Sequence, residues 1–410
     1  MEQHIFDELL TNYAKLAVNV GMNVQEGQQV IIRAPIEAVQ LVRKVTDEAY
    51  KKGASVVTTL YEDDYTILSK YKNAYGDAFD KVDDWLINGQ TQGYKDGAAR
   101  LVILGRNPTL LKDVDTSLIS RQAKARAPIN KELMKLVTSS HSQWSIISYV
   151  TDEWAKQVFP NETVENAVSR LWKAIFSACR VYENPIKEWE NHNEKLSKLC
   201  DWMNEKQFDS LQYISPNTHL IVGLAEDHVW EGGAGLSESN IPFNANIPTE
   251  EIFTTPHKDK VDGVVVSTKP LLYRGNMIDG IKVRFEKGKA VEYSSLSGEK
   301  IFKDMLEEDE GASRLGEVAI VPHSSPISRS GIVFKETLFD ENASCHFAFG
   351  QSYKKCMKEL PNQTDETLYE RGANNSQIHV DWMVGSKNLS IYGIKDDEET
   401  LIFENGEWVI

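Results

Sequence analysis

Continuous apolar runs alternate with amphipathic stretches through the first half of the chain. Gln29-Val30-Ile31-Ile32-Arg33 leads up to Pro35, and Ala38, Leu41, Val42, Val45 and Ala49 then share one face at helical spacing. Lys52-Gly53 stops that helix. Ser55–Leu60, Leu101–Gly105 and Trp144–Tyr149 are further strand-like runs, each separated from the last by helix-like sequence. Runs of this kind between amphipathic helices predict an α/β N-terminal domain with a largely parallel sheet covered on both faces. From about Val164 to Phe208 the pattern is mostly helical. Beyond it, short strands alternate with tight turns: Thr218–Leu224, Asp262–Ser267, Lys282–Glu286, Val318–Val321 and Ile378–Val384. Glu286-Lys287-Gly288-Lys289 and Glu404-Asn405-Gly406-Glu407 read as hairpin turns. An α+β C-terminal domain with mostly antiparallel sheet is expected, so the chain divides at about 1–187 and 188–410. No linker-like composition marks the boundary.

The 410 residues are 41% apolar and 26% charged, enough to bury a large core without disulfide or metal staples. A net charge of −16 disfavours nucleic acid as a partner and suits a soluble cytoplasmic protein, or a site rich in carboxylates. No apolar run approaches the ~18 residues of a membrane span. The acidic start, Met1-Glu2-Gln3-His4, lacks the basic and apolar regions of a secretory signal. Cys179, Cys200, Cys345 and Cys356 form no Cys-x-x-Cys and are expected as reduced thiols, Cys345 as a packing residue. Gly232-Gly233-Ala234-Gly235 lacks the spacing of a dinucleotide fingerprint and reads as a flexible loop. There is no P-loop, no Gly-x-Ser-x-Gly and no His-Glu-x-x-His.

Four stretches break the rule that strands carry apolar residues. In Ile378-His379-Val380-Asp381-Trp382-Met383-Val384, alternation puts His379, Asp381 and Met383 on one face and the apolar residues on the other. A His and an Asp two apart on a strand can aim at one metal ion. They can equally form a hydrogen-bonded pair or face solvent. His346 lies in the apolar run Cys345–Gly350, where an unpaired imidazole is costly and a satisfied core histidine is the alternative. Glu341 precedes it at a turn, and Tyr353 follows. Glu317 opens the strand Val318–Val321, and Glu250-Glu251 follow Pro248. Each of these acids also has a solvated or helix-start reading. Taken together, two His and four carboxylates balance two divalent cations better than one.

These segments resemble the aminopeptidase T family of bacterial metallo-aminopeptidases, which includes the aminopeptidase S enzymes. The likeness is carried by Asn246–His257, Gly316–Pro322, Leu338–His346, Ile378–Gly385 and Asn405-Gly406-Glu407-Trp408, and it runs through essentially the whole chain. It implies metal ligands at Glu251, Glu317, Glu341, His346, His379 and Asp381. Tyr353 matches the family's active-site tyrosine, and Glu250 beside Glu251 leaves a one-residue ambiguity. It implies two divalent ions, zinc or cobalt foremost and manganese or magnesium as alternatives, and a homodimer with active sites facing an internal cavity. The expected substrates are peptides with a free N-terminus. A water activated by the ions would attack the first peptide bond, Tyr353 would stabilise the oxyanion, and Glu317 or Glu250 would carry the proton. Two other readings stand beside this one: another two-metal hydrolase such as a phosphoesterase, and a non-enzymatic ligand-binding α/β protein. A phosphoesterase needs cations near its anion, and Arg329, Arg371 and Lys335 near the motifs read as surface charges.

Overall fold

The computed structural model describes residues 1–361 and 363–410. The chain forms two compact units, Met1–Asn191 with Ala234–Pro248, and His192–Gly233 with Thr249–Ile410. The boundary expected at 187/188 falls inside the helix Pro185–Lys206. The return of Ala234–Pro248 to the first unit is announced by no shift in composition.

In the first unit, β1 (Gln29–Pro35), β2 (Val56–Glu62), β3 (Ala99–Leu104) and β4 (Trp144–Ser148) form a parallel sheet of order β2-β1-β3-β4. One face carries Val30, Ile32, Ala34, Ala99, Leu101, Ile103 and Ile147, all buried. The helix α1 (Gln3–Leu16) packs on α2 (Val39–Lys51), and α2 meets β1 and β2 through a buried stripe of Leu41, Val42, Val45 and Ala49. The other face is covered only in part, which corrects the expectation of two covered faces. Here α4 (Asp84–Lys95) sits close over Ile31, where a Cβ on Gly93 would lie 2.9 Å from the Ile31 Cδ1. Tyr94 joins Leu133, Val137 and Trp144 in a small apolar cluster. Further along this face Arg33, Val102, Leu104 and Ile146 are only half-buried. Polar Arg33 interrupts the apolar run on this side, and a helix packed over it would have to desolvate a guanidinium.

The second unit stacks two antiparallel sheets. The larger has eight strands, and its strands Ser210–Ser215 and Thr218–Leu224 turn Leu211, Tyr213, Leu220 and Val222 inward. The smaller joins β5 (Glu231–Gly232), β6 (Ile252–Thr254), β7 (Leu315–Ile320), β8 (His346–Gly350) and β9 (His379–Met383) in the order β9-β8-β7-β6-β5. Its inner face sends Ile252, Val318, Ile320, Phe347, Phe349, Val380 and Trp382 into the same core. Trp382 stacks on Phe349 at 5.2 Å, and Tyr213 meets Phe347 edge-on at 5.0 Å. Burying side chains of this size stabilises by roughly 1.5–3 kcal/mol each, which locks the register of the strands. Both expected hairpin turns form, with positive φ at Lys287-Gly288 and Asn405-Gly406. All four cysteines are buried free thiols. Among the described residues no helix is long and apolar enough to cross a membrane.

Candidate metal centre

The outer face of the five-stranded sheet carries the polar residues that broke the strand rule. Register aligns Glu317 of β7, Ala348 of β8 and Asp381 of β9 in one row across three strands. The next row holds Phe253, Ala319, His346 and Met383. Gly350 pairs with His379 at the far end. Ligand-type side chains are therefore separated by Ala319, Ala348 and Gly350, whose small size leaves a hollow. Glu251, two residues before Phe253, lies on the same side as the chain enters β6.

A β-bulge aims Glu317. The pairing slips between Leu315 and Glu317, so Gly316 is the extra residue. The slip lets Leu315 enter the core while Glu317, two residues on, faces the other way. A side chain at Gly316 would place its Cβ 2.3 Å from the Gly350 carbonyl oxygen and 2.5 Å from that of Gln351, so only glycine fits.

The side chains converge as two triads, Glu251–Glu317–His346 and Glu317–His379–Asp381, with ligand atoms within 4.8 Å of one another in each. Glu317 belongs to both. His346 Nε2 lies 3.1 Å from Glu251 Oε2; His379 Nε2 lies 3.1 Å from Glu317 Oε2 and 3.3 Å from Asp381 Oδ1. On the opposite side of each ring, Nδ1–H donates to a backbone carbonyl: Ser344 at 3.1 Å for His346 and Gln351 at 2.7 Å for His379. A carbonyl accepts only, so Nδ1 carries a proton, and Nε2 is the nitrogen left to face the carboxylates. A positive charge, carried by a proton or a metal ion, is needed between each Nε2 and the carboxylates it faces.

The charge balance points the same way. Burial opposes a charged imidazole at His346, yet Glu251, Asp381 and Glu317 push it up to about 10. His379 is raised well above its ordinary range against the same opposition, chiefly by Asp381 and Glu317. Burial, reinforced by Glu251 and Asp381, drives the Glu341 carboxyl well above its usual range. Burial also raises Glu317, with His379 partly offsetting it. Four carboxylates outnumber the two imidazoles, and the raised Glu341 and Glu317 show that ionising all four there is opposed unless further positive charge is supplied. Glu251 Oε2 is buried, and among the described residues it meets no donor unless His346 Nε2, 3.1 Å away, is protonated. Buried carboxylates that outnumber the imidazoles, and rings held from behind at Nδ1 with Nε2 turned to the carboxylates, fit divalent cations.

Five of the six proposed ligands thus stand in the triads. The sixth, Glu341, follows the short helix Thr337–Asp340 and sits at their edge, close enough to be shifted by Glu251 and Asp381. Glu251 rather than Glu250 faces the cluster; Glu250 Oε2 lies 3.8 Å from His192 Nε2. The Tyr353 ring centroid is 4.7 Å from that of His379, and Phe253 packs against its other side at 5.9 Å. The Tyr353 hydroxyl has no hydrogen-bond partner among the described residues. Burial of that end and the nearby Glu317 and Asp381 carboxylates hold its pKa well above 10.

Asn342 carries no signal in the sequence that would single it out. It is fully buried, accepts from the Glu250 N–H at 2.7 Å, and donates to the Leu338 carbonyl at 3.1 Å and to Glu341 Oε1 at 3.4 Å. It ties the first acidic motif to the third. Of the three residues read as surface charges, Arg371 is buried. Arg371 is only 9% exposed and binds Asp227 Oδ2 at 3.2 Å and Gln363 Oε1 at 2.9 Å. Lys335 lines a cavity of about 30 Å³ beside Asp381, together with Leu271, Leu272, Met277, Val333 and Met383.

The chain belongs to the thermophilic metalloprotease family M29, whose model matches residues 6–408. It is 41% identical to aminopeptidase T of Thermus thermophilus over 99% of both chains. It is 42% identical to aminopeptidase AmpS of Bacillus subtilis over 98% of this chain and 99% of that one. The solved structure of wild-type AmpT from Thermus thermophilus superposes with a TM-score of 0.94, covering 99% of this chain and 100% of the other.

Proposed function

We propose that the chain is an aminopeptidase that removes N-terminal residues from peptides at a two-metal centre. The observation that carries the reading is that Glu317 belongs to both ligand triads, as a carboxylate shared by two ions would. Glu251 and His346 would complete one site, and His379 and Asp381 the other. Two divalent ions, zinc or cobalt foremost, would supply Lewis acidity and bring the pKa of a bound water toward neutrality.

The chain's own residues do the rest. The Tyr353 hydroxyl, without a hydrogen-bond partner among the described residues and beside His379, donates to the oxyanion that forms on the scissile carbonyl. Glu341, outside both triads, takes a proton from the attacking water and returns it to the leaving amine. Glu317, already engaged by both triads, acts as the shared ligand. Carboxylates crowding the site favour a free amino terminus, and an acetylated one loses both its charge and its lone pair. Cytoplasmic action as a homodimer belongs to the same reading.

Mass spectra of a peptide and its N-acetylated twin after digestion test the proposal. Stepwise shortening of the free peptide alone is expected. Internal cuts, or equal cleavage of both peptides, would overturn the aminopeptidase reading. Stripping the protein of metal and restoring it with zinc, cobalt, manganese or magnesium identifies the ion that works.

A further inference from the structure

The half-covered face of the parallel sheet carries more positive charge than its surroundings neutralise. Arg33 pairs in register with Val102, so Arg100, two residues earlier on β3, shares its face and lies diagonally next to it. On the other side of β1, Arg33 pairs with Leu60, which places Glu62 on the same face at the C-terminal end of β2. Arg106 follows β3. Arg33 Nη2 reaches Glu62 Oε1 at 2.6 Å, and Arg106 Nη2 bonds to Glu62 Oε2. One carboxylate therefore serves two guanidiniums. The neighbouring carboxylate, Asp64, is turned to the Asn107 N–H at 3.0 Å.

Arg100 is left over. Its Nε is buried without a hydrogen-bond partner. Burial and the adjacent Arg33 pull its pKa below the ordinary guanidinium range. Buried donors nearly always find acceptors, and three guanidiniums against two carboxylates, Glu62 and Asp64, leave this face locally positive in a chain that carries −16 overall. The position adds to this. The chain runs from β1 to β2 on one side and crosses to β3 on the other, so the sheet reverses order between β1 and β3. Open parallel sheets bind ligands beyond the C-terminal ends of their strands at such a point, and Arg33 and Arg106 stand there. Half-buried Val102, Leu104 and Ile146 line the same face and would accept the apolar part of an organic anion.

We propose that this face is a binding site for a small anion of carboxylate or phosphate type, held by Arg33, Arg100 and Arg106 and spaced by Glu62. Planar guanidiniums pair two-point with either group. The site rests on the first unit alone and does not depend on the peptidase reading.

Thermal unfolding of the full-length, metal-loaded protein tests it. The probes are inorganic phosphate in one arm and N-acetyl-leucine in the other, each against chloride at equal ionic strength. The variant is Arg100→Met, which keeps the apolar stem and removes the unpaired charge. The wild type should show a saturable rise in Tm of about 2–4 °C with at least one probe, and the arm that responds identifies the anion. Arg100→Met should lose the rise and, without anion, melt no lower than the wild type. No saturable rise with either probe, or an equal rise in Arg100→Met, would overturn the site; an equal rise would place the anion elsewhere, as at the metal centre.

Discussion

Two sheet faces in this molecule carry charged side chains, and they are built differently. On the five-stranded sheet, ligand-type residues alternate with Ala319, Ala348 and Gly350, and both imidazoles are fixed from behind by backbone carbonyls. On the parallel sheet, guanidiniums crowd one carboxylate, and Arg100 has no fixing bond at Nε. The first face is organised before any ligand arrives. The second leaves an ionic donor unsatisfied. The difference shows what a pre-organised centre needs: small residues for space, a bulge to aim a carboxylate, and outer hydrogen bonds to hold each ring.

If the five-stranded face is the catalytic one, its imidazoles should matter most. His346→Ala or His379→Ala should lower kcat/KM by ~10³-fold or more, about 4 kcal/mol of barrier, with the far-ultraviolet circular dichroism unchanged. Turnover at the wild-type level in either variant, with metal fully loaded, would contradict the assignment. Tyr353→Phe keeps the contacts with His379 and Phe253 and removes only the hydroxyl. A fall in kcat of ~10²–10³ at normal metal content is expected for a lost oxyanion donor; an unchanged kcat would make Tyr353 a packing residue.

The bulge and the outer hydrogen bonds give smaller effects, read in stability. Gly316→Ala forces a Cβ against two carbonyl oxygens and should cost about 3 kcal/mol, measured by urea denaturation. A neutral result would mean the bulge relaxes without loss. Asn342→Ala strands the buried Glu250 N–H and should cost ~1–3 kcal/mol, with a fall in activity as Glu341 loses its bond. Arg100→Met should show the opposite pattern on the parallel sheet, since it removes a charge rather than a partner.

The parallel sheet was legible because its core strands are nearly unbroken apolar runs, as in Val30-Ile31-Ile32 and Leu101-Val102-Ile103. Its half-open face was not, because only register puts Arg33 and Arg100 on one face, diagonally adjacent. In the second unit, strict alternation in Ile378–Val384 gave the facing of His379 and Asp381. No periodicity could show that Glu317, Ala348 and Asp381 form a row, because strands distant in sequence set it. The bulge at Gly316 was hidden for the same reason. Asn342 acts through the Glu250 N–H, far along the chain, which local pattern does not encode. The shared position of Glu317 emerges only in three dimensions.

That shared carboxylate is the claim to test most directly, by counting metal in purified, reconstituted protein. The wild type should hold about two divalent ions per chain. His346→Ala and His379→Ala, each damaging one triad, should each retain about one ion, whereas Glu317→Ala, damaging both, should retain almost none while staying folded. If Glu317→Ala keeps one ion as the histidine variants do, the carboxylate serves a single site and the two-metal centre built on its sharing is wrong.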